Sequence, residues 1–281
     1  MGNMILSAFT DEYAPAFSRQ VEGAKAFSLD AIEIRGADGV NVGNMTLNQI
    51  RTYAEKLRDA GIGVSAVGSP LGKISLDGDL EGHMEMTRKI CEFANILDTP
   101  NVRMFSFYGG KDTPITHCKQ QVVDNLGRML DIANAAGVTL CHENEARIYG
   151  DTPERCLELL EIFRGELKCV FDMGNFVLGH VNPWDAYLQL KPYICYFHIK
   201  DALEAGAVVP PGKGEAQIQR ILQDYTKDHT GVVVTLEPHL QTFQGLNALV
   251  ENKGFVNPYQ YPDSETAFAD AVTKLKELIF Q

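Results

Sequence analysis

Residues 139–146 read TLCHENEA, where an apolar run passes directly into four consecutive polar side chains. The run Val138–His142 predicts a buried strand, because it is short, apolar and partly β-branched. Side chains alternate along a strand, so Glu143 is expected on the face opposite to His142. Polar residues held at the end of a buried strand indicate a site at that end.

The same strand-then-helix pattern repeats along the whole chain. Eight apolar runs predict strands, at Met4–Phe9, Ala31–Ile34, Gly63–Val67, Val102–Phe107, Val138–His142, Cys169–Phe171, Cys195–Ile199 and Val232–Glu237. Eight segments predict helices, at Phe17–Phe27, Leu47–Ala60, Leu80–Leu97, Lys119–Ala136, Pro153–Phe163, Pro183–Leu190, Ala216–Asp228 and Ser264–Phe280. Regular alternation of this kind predicts an α/β fold, a (β/α)₈ TIM barrel, as a single domain over residues 1–281.

An open, doubly wound sheet is the alternative fold. It would need a phosphate-binding glycine fingerprint after the first strand, where this chain reads AFTDEYAP. The longest irregular stretch, at about 240–263, follows the eighth strand and contains several aromatic residues. A loop of that length predicts a lid or an interface element, and a homo-oligomer is therefore a possible assembly.

Charge and composition exclude several classes of function. The net charge is −12 and the sequence pI is about 5.0, which argues against a nucleic-acid partner. The sequence has no apolar run of the roughly 18 residues that a membrane span requires. Six cysteines without CxxC spacing indicate reduced core residues, and the start MGNMILSAFTDEY lacks a basic leader, so we expect a cytoplasmic protein.

Four consecutive predicted strands end in residues that can bind a metal ion or transfer a proton, namely Glu143, Asp172, His198 and Glu237. Active sites of TIM barrels lie at the carboxyl ends of the strands, so these side chains are expected to converge. Three carboxylates in one place repel one another unless a cation joins them. Oxygen-rich ligands with one histidine favour a divalent metal ion such as Mn²⁺, Mg²⁺, Co²⁺ or Zn²⁺. The sequence thus predicts one metal ion bound by these four residues.

Other residues are weaker candidates for substrate contacts. Lys200 shares a strand face with His198, and His239 shares one with Glu237. Glu12 follows the first strand. Arg35 ends the second strand, where it is expected either to meet the substrate or to pair with Glu33. His142 would reach the pocket only if the strand end twists.

The motifs LCHENEARIYGDTPE, FDMGNF, YFHIKDA with PPGKGE, and VTLEPHL resemble the sugar isomerase and epimerase group of the xylose isomerase-like barrels. The opening LSAFTDEY is similar to that group as well. The resemblance implies a TIM barrel in which Glu143, Asp172, His198 and Glu237 bind one divalent metal. Resemblance to the ketose 3-epimerases further implies that Glu143 and Glu237 face opposite sides of a substrate carbon, where one removes a proton and the other returns it.

The sequence also departs from the epimerase pattern. Those enzymes carry a histidine three residues after the strand-six aspartate, where this chain has Asn175. They carry an arginine shortly after the strand-seven histidine, where this chain offers Lys200 and, further on, Lys213. His180 is a candidate replacement. The departures leave the contacts with substrate hydroxyl groups open.

We expect a metal-dependent isomerase or epimerase that acts on a small sugar or keto-sugar through an enediolate. A lyase or dehydratase acting on a keto-sugar or a 3-keto glycoside is the alternative. It would use the same metal site and add an acid, either His142 or His239, for the leaving group. A phosphodiesterase would require a basic groove and further histidine ligands. A non-catalytic sugar-binding role is disfavoured by the intact set of four ligands.

Overall fold

The computed structural model describes residues 4–241 and 259–280. All eight predicted strands are present and parallel, and we number them β1 (Met4–Ala8), β2 (Ala31–Ile34), β3 (Gly63–Gly68), β4 (Asn101–Met104), β5 (Thr139–Glu143), β6 (Lys168–Asp172), β7 (Ile194–Ile199) and β8 (Val232–Leu236). Their order in the sheet is β1-β8-β7-β6-β5-β4-β3-β2, and β1 and β2 lie next to each other. The sheet is therefore a nearly closed barrel, and the predicted TIM-barrel fold is confirmed.

Helices follow the strands in the predicted order. They are α1 (Phe17–Ala26), α2 (Leu47–Ala60), α3 (Leu80–Ile96), α4 (Lys119–Ala136), α5 (Pro153–Ile162), α6 (Met173–Leu178), α7 (Pro183–Leu190), α8 (Ile218–Tyr225) and α9 (Ser264–Ile279). Local signals fix several ends. Thr46 and Gln49 form a capping box at the start of α2, and Gly61 ends it in the left-handed conformation. Thr152 caps α5 just before Pro153.

The largest differences between the sequence prediction and the strands and helices of the barrel are at three places. The short helix α6 was not predicted, and it begins directly after the strand-end residue Asp172, which caps it. Strand β4 ends at Met104 rather than at residue 107, because the backbone turns away and Phe107 has a φ of 67°. Helix α8 begins at Ile218 rather than at residue 216, since Gln217 has a φ of 55°.

Two small antiparallel hairpins rise from the carboxyl end of the barrel. The first, formed by Gly36–Ala37 and Val40–Asn41, follows β2. The second, formed by Asp201–Ala202 and Val208–Val209, follows β7. Most of the long stretch predicted at 240–263 lies outside the described residues, so its role as a lid or interface stays a prediction.

Apolar side chains fill the layer between the strands and the helices. A second, small cluster of Ala66, Cys141, Val170 and Tyr196 lies on the strand face that also carries the predicted site residues. Five of the six cysteines are buried, and Cys195 is half-buried, and all six are free thiols as predicted. Within residues 4–241 and 259–280, each helix is too short or too polar to cross a membrane. The cytoplasmic location stays a prediction.

The loop between β3 and α3 is held by a buried histidine, and this gives a prediction for acid stability. The Nε2 atom of His83 accepts a hydrogen bond from the Gly72 backbone at 2.8 Å, which requires the neutral ring. Burial lowers the pKa of His83 below its ordinary value of 6.5. In the unfolded chain the His83 ring therefore becomes protonated near pH 6.5, whereas in the folded chain it stays neutral to a lower pH. The stability that neutral His83 contributes is fully present above pH 6.5 and decreases as the pH falls below it.

We predict that lowering the pH from about 7 to about 5.5 reduces the free energy of unfolding of the wild-type protein, measured in urea, relative to that of His83→Gln. The glutamine amide oxygen can still accept the hydrogen bond from Gly72 but does not titrate. Equal pH dependence in the two proteins would contradict this role for His83.

Candidate active site and metal centre

The structure brings together the four strand-end residues that the sequence singled out. Glu143 ends β5, Asp172 ends β6, His198 lies in β7 and Glu237 directly follows β8. All four are buried, and one ligand atom from each lies within 4.8 Å of the others. The Cα atoms of Asp172 and His198 pair across neighbouring strands, which sets them at the same height in the barrel.

Glu143 is held between a guanidinium group and an imidazole ring. Arg103 donates to its Oε2 at 2.9 Å, and His198 Nδ1 lies 3.1 Å from its Oε1. Burial opposes ionisation of Glu143, but the charges of His198 and Arg103 outweigh it and lower the pKa to about 2. Glu143 is therefore a carboxylate at neutral pH.

Glu237 divides its two oxygens between different partners. Its Oε1 accepts from Arg35 at 3.0 Å and lies 3.2 Å from His239 Nε2. Its Oε2 accepts from Lys200 at 3.1 Å and lies 3.5 Å from His198 Nδ1. Burial raises the pKa of Glu237, but the neighbouring Lys200 and His239 bring it well below the ordinary value.

His198 lies between carboxylates on both of its ring nitrogens. Nδ1 faces Glu143 and Glu237, and Nε2 lies 3.0 Å from Glu33 Oε2. Glu33 also accepts a hydrogen bond from Tyr196 at 3.0 Å. Burial lowers the pKa of His198, but the surrounding carboxylates raise it well above the ordinary value. The contact of Glu33 with Nε2 fixes the orientation of the ring and leaves Nδ1 directed at the cluster.

Lys200 reaches into the same cluster from the end of β7. Its Nζ donates to Asp172 at 2.9 Å, to Glu237 at 3.1 Å and to Asn175 at 3.1 Å. Burial raises the pKa of Asp172 to about 6, although the lysine charge opposes this rise. A side chain at Gly174 would come within 2.8 Å of the Lys200 stem, so the glycine of FDMGN makes room for this lysine.

Arg35 forms a second charged group beside the first. It makes two hydrogen bonds with Asp11 and one each with Glu12 and Glu237, all at 3.0 Å. The backbone of His239, which has a φ of 45°, donates to Glu12 at 2.7 Å. We expected Arg35 to contact either the substrate or Glu33. The structure instead pairs it with Asp11, Glu12 and Glu237.

Two predicted substrate residues lie away from the cavity at the barrel mouth. His142 is buried on the outer face of β5, where its Nε2 lies 2.9 Å from Ser106 Oγ. A side chain at Gly150 would come within 2.4 Å of its ring, and burial lowers its pKa to about 4. His180 is 69% exposed and faces Glu204 at 3.6 Å. Strand alternation therefore gave the correct direction for His142.

The sequence interpretation missed three residues that shape the site. Arg103 is a buried arginine within the run NVRM, and a charge on the inward face of a strand is the signal that would have revealed it. Asp11 anchors Arg35 from the turn after β1. Asp201 accepts hydrogen bonds from the backbone of Ala202, Gly212, Gly214 and Ala216, and so holds the PPGKGE segment at residues 210–215.

A cavity of about 1300 Å³ opens above the cluster. Its charged lining comprises Asp11, Glu12, Arg35, Lys73, Arg103, Glu143, Glu145, Lys200, Glu237 and His239. Asn175 also lines it, whereas Asp172 and His198 lie beneath. Deep burial of the ligand atoms below an open cavity is suited to chemistry on a small molecule that enters from the mouth.

A family model for the xylose isomerase-like TIM barrel matches residues 21–255. The chain belongs to this family. Among curated proteins, a 3-dehydroshikimate dehydratase of Bacillus anthracis is 24% identical over 201 residues, which cover 71% of this chain and 69% of the relative.

Solved structures share the fold. A D-allulose 3-epimerase from Methylomonas sp. in complex with D-allulose superimposes with a TM-score of 0.76 at 14% identity, covering 99% of this chain and 98% of that one. A xylose isomerase-like protein from Mycobacterium smegmatis in complex with magnesium gives a TM-score of 0.69 at 15% identity, covering 99% and 97%.

The contact between Arg103 and Glu143 yields a prediction for stability. Removing one partner of a buried ion pair leaves an uncompensated charge, so Arg103→Met is expected to cost about 3–5 kcal/mol in urea unfolding. Arg128→Met is the matched control, because Arg128 pairs with Glu81 on the surface and its loss should change stability little. If Arg103→Met and Arg128→Met lowered the free energy of unfolding by the same small amount, Arg103 would not stabilise the site.

Proposed function

We propose that this chain is a divalent-metal-dependent isomerase or epimerase that moves a proton next to the carbonyl of a keto-sugar. The observation that carries the proposal is the placement of Glu143 and Glu237. Two ionised carboxylates from strands on different sides of β7 approach the same Nδ1 atom of His198, at 3.1 and 3.5 Å. Asp172 completes a compact group of donors between them.

The donor set fits a divalent ion. Three carboxylates and one imidazole nitrogen within 4.8 Å form the oxygen-rich, single-histidine set that Mn²⁺, Mg²⁺, Co²⁺ and Zn²⁺ accept. Glu143, Asp172, His198 and Glu237 would hold the ion. When bound, such an ion supplies a Lewis acid that polarises a carbonyl and increases the acidity of the neighbouring C–H group.

The side chains then divide the proton transfer between them. Both glutamates are ionised, so each has a free lone pair for a proton, although a lowered pKa makes a carboxylate a weaker base. Their contribution therefore depends on placement at the C–H bond, where a positioned base contributes about 10²–10⁴ in rate. One glutamate removes the proton and the other returns it from the opposite side. Arg103 and Arg35 each hold one oxygen of their glutamate, which fixes the direction of the other oxygen.

Lys200 and Asn175 would bind substrate oxygens. Both line the cavity, and they bond to each other at 3.1 Å directly above Asp172. An ammonium group and an amide offer donors to a hydroxyl or carbonyl oxygen. Asn175 occupies the position where the epimerase pattern has a histidine, and Lys200 lies near the position where it has an arginine. The substrate hydroxyl groups would therefore be held by different side chains in this protein.

A dehydratase or lyase is the second candidate. It is supported by the name of the curated relative, 3-dehydroshikimate dehydratase, and by His239. That residue lines the cavity within 3.3 Å of both Glu12 and Glu237, where it could protonate a leaving group after the same proton abstraction. The placement of His142 outside the cavity leaves His239 as the histidine for this role among the described residues.

The two reactions are separated by NMR of a keto-sugar incubated in D₂O with Mn²⁺. Isomerisation or epimerisation is expected to introduce deuterium next to the carbonyl without loss of a leaving group. Elimination from the recovered material would favour the lyase instead.

We predict that Glu143→Gln and Glu237→Gln each slow deuterium exchange by at least about 10²-fold while the chain stays folded. Glu81→Gln is the matched control, since it makes the same isosteric change on the surface, where Glu81 pairs with Arg128 and does not line the cavity. Full turnover in both site variants would exclude the two-glutamate mechanism.

A further inference from the structure

The charges around the cavity bear on the kind of substrate it takes. Among the residues that the structure describes, four cationic side chains line it, and each is already paired with a carboxylate of the chain. Arg35 pairs with Asp11, Glu12 and Glu237, Lys73 with Glu145, Arg103 with Glu143, and Lys200 with Asp172 and Glu237. The longest of these contacts is 3.1 Å.

An anionic substituent would therefore meet carboxylates along with every cation. A phosphate or carboxylate group would have to displace Glu145 or a buried site glutamate from its partner, which leaves a charge without compensation. Sites that recognise phosphate instead present arginine or lysine donors, or helix N-termini, that are not already neutralised. The described lining thus favours a substrate without net charge.

The outer wall of the cavity is apolar. Val40 comes from the first hairpin, Val208 from the second, Leu178 from the end of α6, Leu240 from the segment after β8, and Phe268 from α9. Three of them, Val40, Leu178 and Val208, are only half-buried, so their side chains present apolar surface toward the opening. Exposed apolar side chains rimmed by polar ones mark ligand-binding surfaces.

The volume of the cavity, like its partly charged and partly apolar lining, indicates a ligand larger than a single sugar ring. Pockets for drug-sized molecules occupy about 300–1,000 Å³, and this cavity reaches about 1300 Å³. A single sugar ring above Glu143 and Glu237 would leave the apolar wall uncovered. A larger molecule, polar at one end and apolar at the other, would cover both parts.

We propose that the substrate is an uncharged keto-sugar joined to an apolar group, with the sugar over the carboxylate cluster and the apolar group against Val40, Leu178 and Val208. This inference rests on the proposed function and names its substrate class. It separates this chain from enzymes of sugar phosphates and of carboxylate-bearing compounds such as 3-dehydroshikimate.

Calorimetric titration of the whole protein in the presence of Mn²⁺ tests the class without requiring turnover. The probes are phenyl β-D-glucoside, methyl β-D-glucoside and glucose 6-phosphate. Phenyl glucoside is expected to bind at least about tenfold more tightly than methyl glucoside, because its ring buries apolar surface. Glucose 6-phosphate is expected to bind more weakly than either.

Three variants assign the effect to the named residues. Leu178→Ser should reduce the advantage of phenyl over methyl glucoside, whereas Leu188→Ser, an exposed leucine on α7, should leave it unchanged. Glu145→Gln releases Lys73 from its ion pair and should strengthen the binding of glucose 6-phosphate at least about fivefold more than it changes the binding of methyl glucoside.

Equal binding of phenyl and methyl glucoside, no measurable binding of phenyl glucoside, or tightest binding of glucose 6-phosphate would each overturn this inference. The proposed function fails by a different result. If the glucosides bind in the expected order but phenyl 3-keto-glucoside undergoes no deuterium exchange, the substrate class stands and the reaction does not.

Discussion

The need to neutralise buried carboxylates governs the carboxyl end of this barrel. Glu12, Glu33, Glu143, Asp172 and Glu237 are all at most 7% exposed and lie within one connected network. Burying such charges costs several kcal/mol each unless cations and hydrogen bonds compensate. The described residues supply compensating groups from several strand ends, namely Arg35 after β2, Arg103 in β4, His198 and Lys200 in and after β7, and His239 after β8. The barrel itself therefore sets the distances on which compensation depends.

This constraint explains why the arginines and the lysine occupy different positions around the carboxylates. Arg103 and Arg35 each fix one glutamate from the outside of the cluster, while Lys200 contacts two carboxylates from within the cavity. Arginine suits the outer positions because its planar group holds several oxygens in fixed directions. A divalent ion among Glu143, Asp172, His198 and Glu237 would add charge of the sign that the network requires. The proposed metal centre and the stability of the barrel mouth would thus be parts of one electrostatic arrangement.

Sequence reasoning recovered the fold and the central four residues because both depend on local pattern. Strand and helix periods gave the eightfold alternation, and strand ends of one barrel must converge. It did not find Arg103, although an arginine within an apolar strand was an available signal. The pairing of Arg103 with Glu143 follows only once the neighbouring strands are placed. It also missed α6, whose cap Asp172 is itself a predicted ligand. The partners of Arg35 depend on contacts between residues up to 202 positions apart, which no local pattern encodes.

Titration of Mn²⁺ into chelator-treated protein tests the central claim most directly, because it measures whether the carboxylate cluster holds one divalent ion. We predict one ion per chain, with binding weakened at least about tenfold in Asp172→Asn. Asp224→Asn is the control, because Asp224 lies on α8 away from the cluster and pairs with Lys191. This variant should leave the binding of Mn²⁺ unchanged. Absence of Mn²⁺ binding, or equal affinity in Asp172→Asn, would contradict the account.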